Sequence, residues 1–402
     1  MPPRFPLLDS VRAIAALSVL VFHASFWSQI TLTGSDLAPF LSRLDVGVTI
    51  FFVLSGFLLY RPFVRARLLG TPAPHAIAYG WRRVLRILPA YWLALTVIAL
   101  VIPKPDTFEP GHAVVYYGFL QIYGDLALGG ITQAWTLCVE VTFYALLPVW
   151  ALGLRRLPAS VRSEVVGLGG LALAGTAWIA VAVLTAPDPE HANTGRMLLW
   201  LPAYLDHFAI GMVLAVVSVA AERDGRARLA WVRRWPWACW LGAAGAFAAV
   251  AVGIGLAPEN RIDAPMDAAQ TIVRHWLYAV VAIGVILPAV FAGPARGAIH
   301  RLLGHPALLY LGVISYGIYL WHNAAMEKLV GWIGRDGSWS DFLLYLGAGA
   351  LAALVVATLS WRLLERPLLR LKRLVPDRAQ PVRDPDSHAP VEPPRPPAPV
   401  AR

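Results

Sequence analysis

Arg12 and His23 lie within the first apolar segment of the chain, at 7–27, where hydrocarbon disfavours ionisable side chains. Their separation corresponds to about 1,100° of helix rotation, within about 20° of three full turns, and to about 16 Å of rise. Both side chains therefore project from one helix face. A guanidinium can hold an anion, and a neutral imidazole can take a proton from an attacking hydroxyl. The alternatives are that Arg12 extends its charge to the membrane surface and that His23 bonds a backbone carbonyl.

Two further ionisable residues are expected at the depth of His23. Glu140 lies about 7 Å below the outer end of the fourth apolar segment, and His322 lies a turn from the outer end of the ninth. Three such side chains at one depth indicate a site, in which Glu140 would orient an imidazole or stabilise its charged form. The alternatives are a structural pairing for Glu140 and a packing role for His322.

At the opposite face, Arg83 and Arg86 are expected to open the third segment at positions i and i+3, adjacent on one helix surface. Guanidinium groups bind phosphate through two parallel hydrogen bonds. The pair therefore suits recognition of a phosphorylated ligand, and the alternative is ordinary flanking charge.

Other polar residues are weaker candidates. Ser55 lies in the middle of the second segment without a nucleophile elbow, so it is interpreted as a packing or cavity residue. Gly56 beside it would allow another group to approach closely. Asp206 and His207 are placed in the middle of the sixth segment, as a secondary site or a helix-packing contact.

The composition indicates which structural elements carry these residues. Of 402 residues, 58% are hydrophobic and only 14% charged, with a mean hydropathy of +0.60, whereas a soluble domain carries about a quarter charged residues. We therefore predict an all-α, polytopic membrane protein. Ten segments are long enough to span the bilayer: 7–27, 45–64, 87–103, 135–154, 163–186, 197–220, 235–257, 271–293, 306–326 and 341–363. The first is interpreted as retained, and 112–123 as a shorter re-entrant or interfacial piece.

The basic residues alternate between loops and predict the orientation. One set of loops and tails holds 26 of the 34 lysines and arginines, and the intervening loops hold seven. The positive-inside rule then places both termini in the cytoplasm. This distribution also accounts for the net charge of +10 without a nucleic-acid partner.

The remaining composition predicts the domain division. Residues 1–375 form one transmembrane domain, and 376–402, with nine prolines, form a disordered cytoplasmic tail. The two cysteines lie in separate apolar segments and no zinc-type spacing occurs, so no metal site is expected.

Six stretches resemble the signatures of the membrane acyltransferase-3 family, and they occur in that family's order between residues 7 and 367. The first contains Arg12, ten intervening residues and His23. The others are DVGV leading to FFVLSGFL at 45–58, RVLRILP at 83–89, WTLCVEVTFY at 135–144, SYGIYLWHN at 315–323 and ERP at 365–367. Thr136 replaces the usual Ser, and Val141 replaces one Glu of a frequent pair.

The resemblance implies an integral inner-membrane O-acyltransferase that uses a cytoplasmic acyl-CoA, acetyl-CoA or longer, and binds no permanent cofactor. Its acceptor would be a hydroxyl of a glycan, glycolipid or glycosylated metabolite. Arg12 and His23 become the essential pair, with Glu140 and His322 as supporting site residues. Arg83 and Arg86 become contacts for the donor phosphates. A transporter or flippase for a glycan or lipid intermediate is the alternative, although no inverted repeat is apparent in the sequence.

This assignment requires a particular arrangement of the donor site and His23. A donor held at Arg83 and Arg86 must reach His23, roughly 20 Å up a core of about 30 Å. We therefore expect a polar channel between segments 1, 2, 3, 4 and 9, with Arg12 part-way along it. His23 would deprotonate the acceptor for direct attack, since no well-activated Ser or Cys supports a covalent intermediate.

Overall fold

The computed structural model describes residues 5–102, 104–185, 196–225, 229–253, 268–291 and 297–376. Within these ranges the regular structure is helical and contains no strand, which confirms the all-α prediction. The principal helices, numbered in chain order, are α1 Leu7–Trp27, α2 Val46–Leu69, α3 Ala76–Val101, α4 Trp135–Leu154, α5 Val161–Leu184, α6 Leu205–Asp224, α7 Pro236–Gly253, α8 Ala268–Phe291, α9 Pro306–Val313, α10 Ser315–Leu329 and α11 Trp339–Ser360. The predicted proline-rich tail lies outside the described residues, apart from its first residue.

Nine helices of the described chain are long and apolar enough to cross a membrane, namely α1 to α8 and α11. The segment predicted at 306–326 is instead two shorter helices, α9 and α10, that meet at Ile314. The piece predicted as re-entrant or interfacial contains one short helix, Pro110–Tyr117, and a single 3-10 turn. A polytopic helical membrane protein is thus confirmed, with a broken helix in place of the tenth continuous span.

The break between α9 and α10 has a local cause that hydropathy does not register. Ile314 has φ −95° and ψ 6°, outside helical geometry, and the Ser315 hydroxyl donates to the Gly312 carbonyl at 2.8 Å. Gly312 also lies directly against the backbone carbonyl of Asp9 in α1, where any side chain would collide. The chain therefore turns against α1, and α10 begins anew inside the bundle.

The third helix begins earlier than predicted. It starts at Ala76, so Arg83 and Arg86 lie within α3 and do not open it. The expected start at residue 87 was wrong because a hydropathy pattern detects the apolar part of a helix only. Backbone hydrogen bonds continue through polar turns wherever the side chains find partners or solvent.

Ion pairs hold the polar C-terminal end of α2 against α5 and α6. Arg67 Nε lies 2.6 Å from the buried carboxylate of Glu164, which also accepts a hydrogen bond from the Tyr60 hydroxyl. Arg61 pairs with Glu222 of α6 at 2.8 Å, and Arg65 contacts the same carboxylate. Because removing one partner of a buried pair leaves an uncompensated charge, these contacts fix the register of the three helices.

Helices α2 and α6 cross in close contact through two glycines. A side chain at Gly56 would collide with the Phe208 carbonyl, and one at Gly211 would collide with the Val53 carbonyl. The predicted close approach at Gly56 is therefore present. Small residues at such a crossing let two backbones pack directly, as is typical of membrane helices.

Candidate functional site

His23 and His322 meet although 299 positions separate them. His322 Nε2 lies 3.1 Å from His23 Nδ1, and the ring centroids are 4.9 Å apart. His23 Nδ1 also lies 3.0 Å from the Val19 carbonyl, and His322 Nδ1 lies 2.9 Å from the Ile318 carbonyl. Helix α1 thus presents its imidazole to α10, and both rings bond their own helix one turn back.

The two carbonyls assign the hydrogens of the histidine pair. A carbonyl can only accept, so Nδ1 of His322 carries its proton toward Ile318 and Nε2 keeps a lone pair. That lone pair accepts from His23 Nδ1, whose proton is shared with Val19. His23 Nε2 is then the unprotonated nitrogen, and it has no hydrogen-bond partner among the described residues. The backbone bond at Val19 therefore fixes the orientation of the His23 ring.

A buried polar network holds the middle of α10, where His322 lies. Trp27 Nε1 donates to Asn323 Oδ1 at 2.7 Å, and Asn323 Nδ2 donates to Gln133 Oε1 at 3.3 Å. Gln133 Nε2 in turn donates to the carbonyls of Tyr319 and Leu320, at 2.9 and 3.1 Å. These bonds connect α1, α10 and the turn before α4. These hydrogen bonds were not predicted from the sequence, although Asn323 directly follows His322.

The three predicted arginines converge in one cavity with about 820 Å³ of empty space. We call it the arginine cavity, and it opens between α1, α2, α3, α4 and α10, the segments among which a channel was expected. Its polar lining consists of Arg12, Ser55, Arg83, Arg86, Thr136, Glu140, Tyr144, Ser315, Tyr316 and Tyr319. Ser315 begins α10, so the broken segment points a helix N-terminus, with its partial positive charge, at the cavity.

Two of these guanidiniums form no close ion pair with a described carboxylate, although Glu140 lies near both and Glu365 lies near Arg86. Arg12 pairs with Asp9 at 2.8 Å. Arg83 instead lies over the Tyr144 ring, 5.8 Å from its centroid, and its Nε is buried without a hydrogen bond. Arg86 lines the same cavity with no hydrogen bond or ion pair to a described residue. Unpaired cations in a partly buried cavity are suited to an anionic ligand.

Glu140 belongs to the arginine cavity and makes no described contact with the histidines. Its carboxylate accepts a hydrogen bond from Ser55 and lies near Arg83 and Arg86. Thr136, one turn earlier, bonds the Tyr319 hydroxyl at 2.8 Å. The expected group of Glu140 with His23 and His322 is thus divided in two, because Glu140 faces α2 while His322 faces α1.

Tyr319 connects the arginine cavity to the histidine pair. Its ring lies 5.9 Å from the His322 ring and 5.9 Å from the Phe51 ring, and both Tyr319 and Phe51 line the cavity. His23 and His322 do not line the cavity; Tyr319 lies between the cavity and His322, and His23 contacts His322. Arg12 and His23 therefore serve adjacent regions of one helix face, separated by the layer that contains Tyr319.

A second polar cluster contains Asp206, His207 and His275, of which only the first two were predicted. Asp206 and His207 lie in the first turn of α6, so their predicted mid-segment position was wrong. The start of α6 is later than expected because residues 201–204 form a 3-10 turn. His275 of α8 places Nε2 2.8 Å from both oxygens of Asp206, and its ring stacks on His207 with centroids 3.8 Å apart and planes at 10°. His275 was not singled out from the sequence.

The geometry of this cluster favours hydrogen bonding over metal coordination. The three residues bring ligand-type atoms within 4.8 Å of one another. A ring nitrogen binds a metal along a lone pair in the plane of its ring, and the two stacked rings have parallel planes about 3.8 Å apart. Without rotation of a ring, no single ion lies in both planes. Asp206 is instead satisfied by His275 and by the backbone N–H of His207 at 2.8 Å.

Comparison with known proteins places the chain among membrane acyltransferases. It is 26% identical to nodulation protein 10 of Rhizobium leguminosarum, with 90% of this chain and 93% of that protein covered. It is 30% identical to the exopolysaccharide production protein ExoZ of Rhizobium meliloti, over 81% of this chain and 90% of that protein.

The name of a third relative states an enzymatic activity. The chain is 23% identical to the peptidoglycan O-acetyltransferase OatA of Listeria monocytogenes, over 90% of this chain but only 55% of that protein. No solved structure matches the chain. The family model described as an acyltransferase domain matches residues 5–362, and the chain therefore belongs to the acyltransferase-3 family of membrane proteins.

Proposed function

We propose that this protein transfers an acyl group from an acyl-CoA donor, acetyl-CoA or longer, to a hydroxyl group of a carbohydrate-bearing acceptor. The observation that carries the proposal is the juxtaposition of two sites. Three arginines, two of them without a close ion pair to a described carboxylate, line one cavity. Connected to it through Tyr319 and His322, His23 is hydrogen-bonded so that Nε2 is free to accept a proton.

The arginine cavity supplies what an acyl-CoA needs. Coenzyme A carries several phosphate charges, which Arg83 and Arg86 would bind and the N-terminus of α10 would favour. Arg12, already paired with Asp9, would contact the donor further along the cavity. The donor is a substrate that leaves after each turnover, so no permanently bound cofactor is required.

The histidine pair then performs the proton transfers. The acceptor O–H proton moves to His23 Nε2 while the oxygen attacks the thioester carbonyl, which forms the C–O bond of the ester. Collapse of the tetrahedral intermediate breaks the C–S bond, and the proton on His23 passes to the departing thiolate. His322 accepts a hydrogen bond from His23 Nδ1 throughout and stabilises the imidazolium. Glu140, bonded to Ser55, fixes the cavity wall and balances the arginine charge.

Orientation follows from charge. We place both termini in the cytoplasm and the protein in the inner membrane, because 26 of the 34 basic residues lie in alternate loops and tails. Arg12 and Arg83 lie in the first halves of α1 and α3, which both begin at that basic face. This orientation makes the arginine cavity accessible to cytoplasmic donor.

The relatives' names support a saccharide acceptor. One is named for O-acetylation of peptidoglycan and another for exopolysaccharide production. We therefore propose a glycan, a glycolipid or a glycosylated metabolite as the acceptor. A transporter of such molecules would also need a polar path, but only a transferase would consume the thioester of the donor.

The test of this function is acyl transfer in membranes supplied with radiolabelled acetyl-CoA. We expect His23→Ala to abolish CoA release and formation of base-labile ester, since removing a general base costs about 10²–10⁴-fold in rate. His112→Ala is the matched control, because His112 is bonded only near its own short helix. Near-wild-type transfer by folded His23→Ala would contradict the mechanism.

The donor arm of the same experiment separates transferase from transporter. Arg86→Gln should raise KM for acetyl-CoA by about tenfold, since a hydrogen bond to a charged group contributes about 1.5–3 kcal/mol. Arg82→Gln, which alters a neighbour that does not line the cavity, should leave KM unchanged. Wild-type protein that consumes no thioester would favour the transporter.

A further inference from the structure

A second cavity, with about 620 Å³ of empty space, lies across the helix α2 from the arginine cavity. We call it the side cavity, and its polar and aromatic lining includes Asp45, Trp135, Tyr204, Arg274, His275 and Tyr278. We propose that the side cavity binds the saccharide portion of the acceptor. The inference rests on the proposed function and names the place at which its second substrate is recognised.

The side cavity lies at the face opposite the basic loops. Asp45 precedes α2, Trp135 begins α4, Tyr204 precedes α6, and His275 lies in the second turn of α8. Successive spans alternate in direction, so these four even-numbered helices all begin at one membrane face. A cavity at their starts therefore opens away from the cytoplasmic donor in the proposed orientation.

Asp206 and His275 form a positioning pair beside this cavity. The buried Asp206 carboxylate accepts the His275 Nε2 proton at 2.8 Å from both oxygens. In the neutral ring this leaves a lone pair on Nδ1, which has no hydrogen-bond partner among the described residues. His275 lines the cavity, so it can accept a hydrogen bond from a ligand hydroxyl. The same buried carboxylate prevents the ring from rotating.

The other residues that line the side cavity include charged groups that form no ion pair with one another. Arg274 lines the cavity and makes no hydrogen bond or ion pair within the described ranges. Asp45 accepts a hydrogen bond from the Tyr278 hydroxyl, which leaves its other oxygen available. A guanidinium, a carboxylate and an oriented imidazole around one space can bind several hydroxyls at once, as donors and as acceptors.

Two aromatic rings form the apolar side of the same space. The Trp135 and Tyr204 rings have centroids 5.8 Å apart, and Tyr204 also lies 6.0 Å from the His275 ring. Flat rings beside multiple hydrogen-bonding groups match a sugar, which has apolar C–H faces and a polar rim.

The two cavities share a wall, which lets a sugar held in one present a hydroxyl toward the other. Val48 of α2 lines both, and Trp135 of the side cavity directly precedes Thr136 of the arginine cavity. Tyr204 contacts Phe52, which lines the arginine cavity, with ring centroids 4.9 Å apart. Donor and acceptor would therefore approach the transfer site from opposite faces.

A cysteine-protection experiment tests the proposal without requiring acyl transfer. Both native cysteines are buried, so Thr271→Cys adds one reactive thiol to the side cavity, and Thr185→Cys adds a control thiol on an exposed turn. Right-side-out vesicles are treated with a membrane-impermeant charged maleimide, with and without β-linked tetrasaccharides of N-acetylglucosamine or of glucose. We expect at least one tetrasaccharide to slow labelling of Thr271→Cys by about fivefold or more and to leave Thr185→Cys unaffected, because a filled cavity excludes the reagent.

A second variant tests whether the protection depends on a residue that lines the side cavity. Arg274→Gln in the Thr271→Cys protein should raise the half-protecting saccharide concentration by about tenfold, equivalent to roughly 1.4 kcal/mol. Arg196→Gln, which alters a partly buried arginine that pairs with Asp125 and does not line the side cavity, should not change it. Labelling only from the basic face, or no protection by either saccharide, would overturn the proposal. Protection without any CoA release would keep the saccharide site and reject the transferase.

Discussion

At the scale of single residues, the histidine pair divides one task between two rings. His23 holds the free nitrogen, while His322 is fully buried and bonded at both of its nitrogens. In the proposed mechanism, His322 therefore acts through His23 as a positioning residue. A ring with a lone pair aimed at Nδ1 keeps His23 in one tautomer and stabilises it when it becomes charged.

This division predicts graded effects at position 322. His322→Ala should lower kcat by at least about tenfold with little change in the KM for acetyl-CoA, because proton transfer is weakened but donor contacts are intact. His322→Gln, whose amide oxygen can accept from His23 Nδ1, should recover part of that loss. Equal loss of kcat in both variants, with reduced thermal stability, would indicate a purely structural role.

Residue spacing in the sequence predicted some of this site and not the rest. The spacing of Arg12 and His23 fixes one helix face, and the arginines at 12, 83 and 86 do share a cavity. The contact between His23 and His322 depends on how α10 is rotated, which helix periodicity alone does not determine. Glu140 was expected at the same depth as His23, but depth does not specify the direction in which a side chain points.

At the scale of helices, the broken segment and the glycine crossing have the largest consequences for the site. The break at Ile314 places the N-terminus of α10 in the wall of the arginine cavity. No proline marks this break in the sequence; it depends on contact between Gly312 and α1. Hydropathy predicted the apolar run correctly, but tertiary contact decided how the run folds.

The crossing of α2 and α6 gives a prediction at this scale. Gly56→Ala should destabilise the protein by about 1–3 kcal/mol, since a methyl group there must displace the backbone of Phe208. Ser55 and Phe52, on the same helix, would shift with it, so transfer should fall as well. The measurement is the Tm of purified protein in detergent, where each kcal/mol corresponds to about 2–4 °C in a domain of ordinary size.

Gly169→Ala is the matched control for that substitution. Gly169 lies within α5, and nothing stands within 4 Å of the position its side chain would occupy. Replacing it should leave the Tm unchanged or raise it slightly, because Ala is the better helix former. Identical effects at the two glycines would mean that close packing at Gly56 is unimportant.

At the scale of the whole molecule, charge and cavities describe a protein with two different faces. The polar ends of α2, α5 and α6 are tied together by Arg61, Arg67, Glu164 and Glu222. These residues adjoin loops that the positive-inside rule places in the cytoplasm. The side cavity lies at the other ends of the even-numbered helices. In the proposed function, donor and acceptor would thus occupy opposite halves of one bundle.

This polarity predicts that acyl donor is consumed from one face only. Acyl-CoA is a large anion that does not cross a bilayer unaided, so acetyl-CoA added outside sealed vesicles reaches only the exposed face. Inside-out membrane vesicles, which expose the basic loops, should release CoA, whereas right-side-out vesicles should match the His23→Ala background. Detergent permeabilisation should equalise the two preparations, because the donor then reaches the arginines at positions 12, 83 and 86 in both. A rate that is higher in right-side-out vesicles would reverse the orientation inferred from the basic loops, and with it the assignment of the arginine cavity to a cytoplasmic donor.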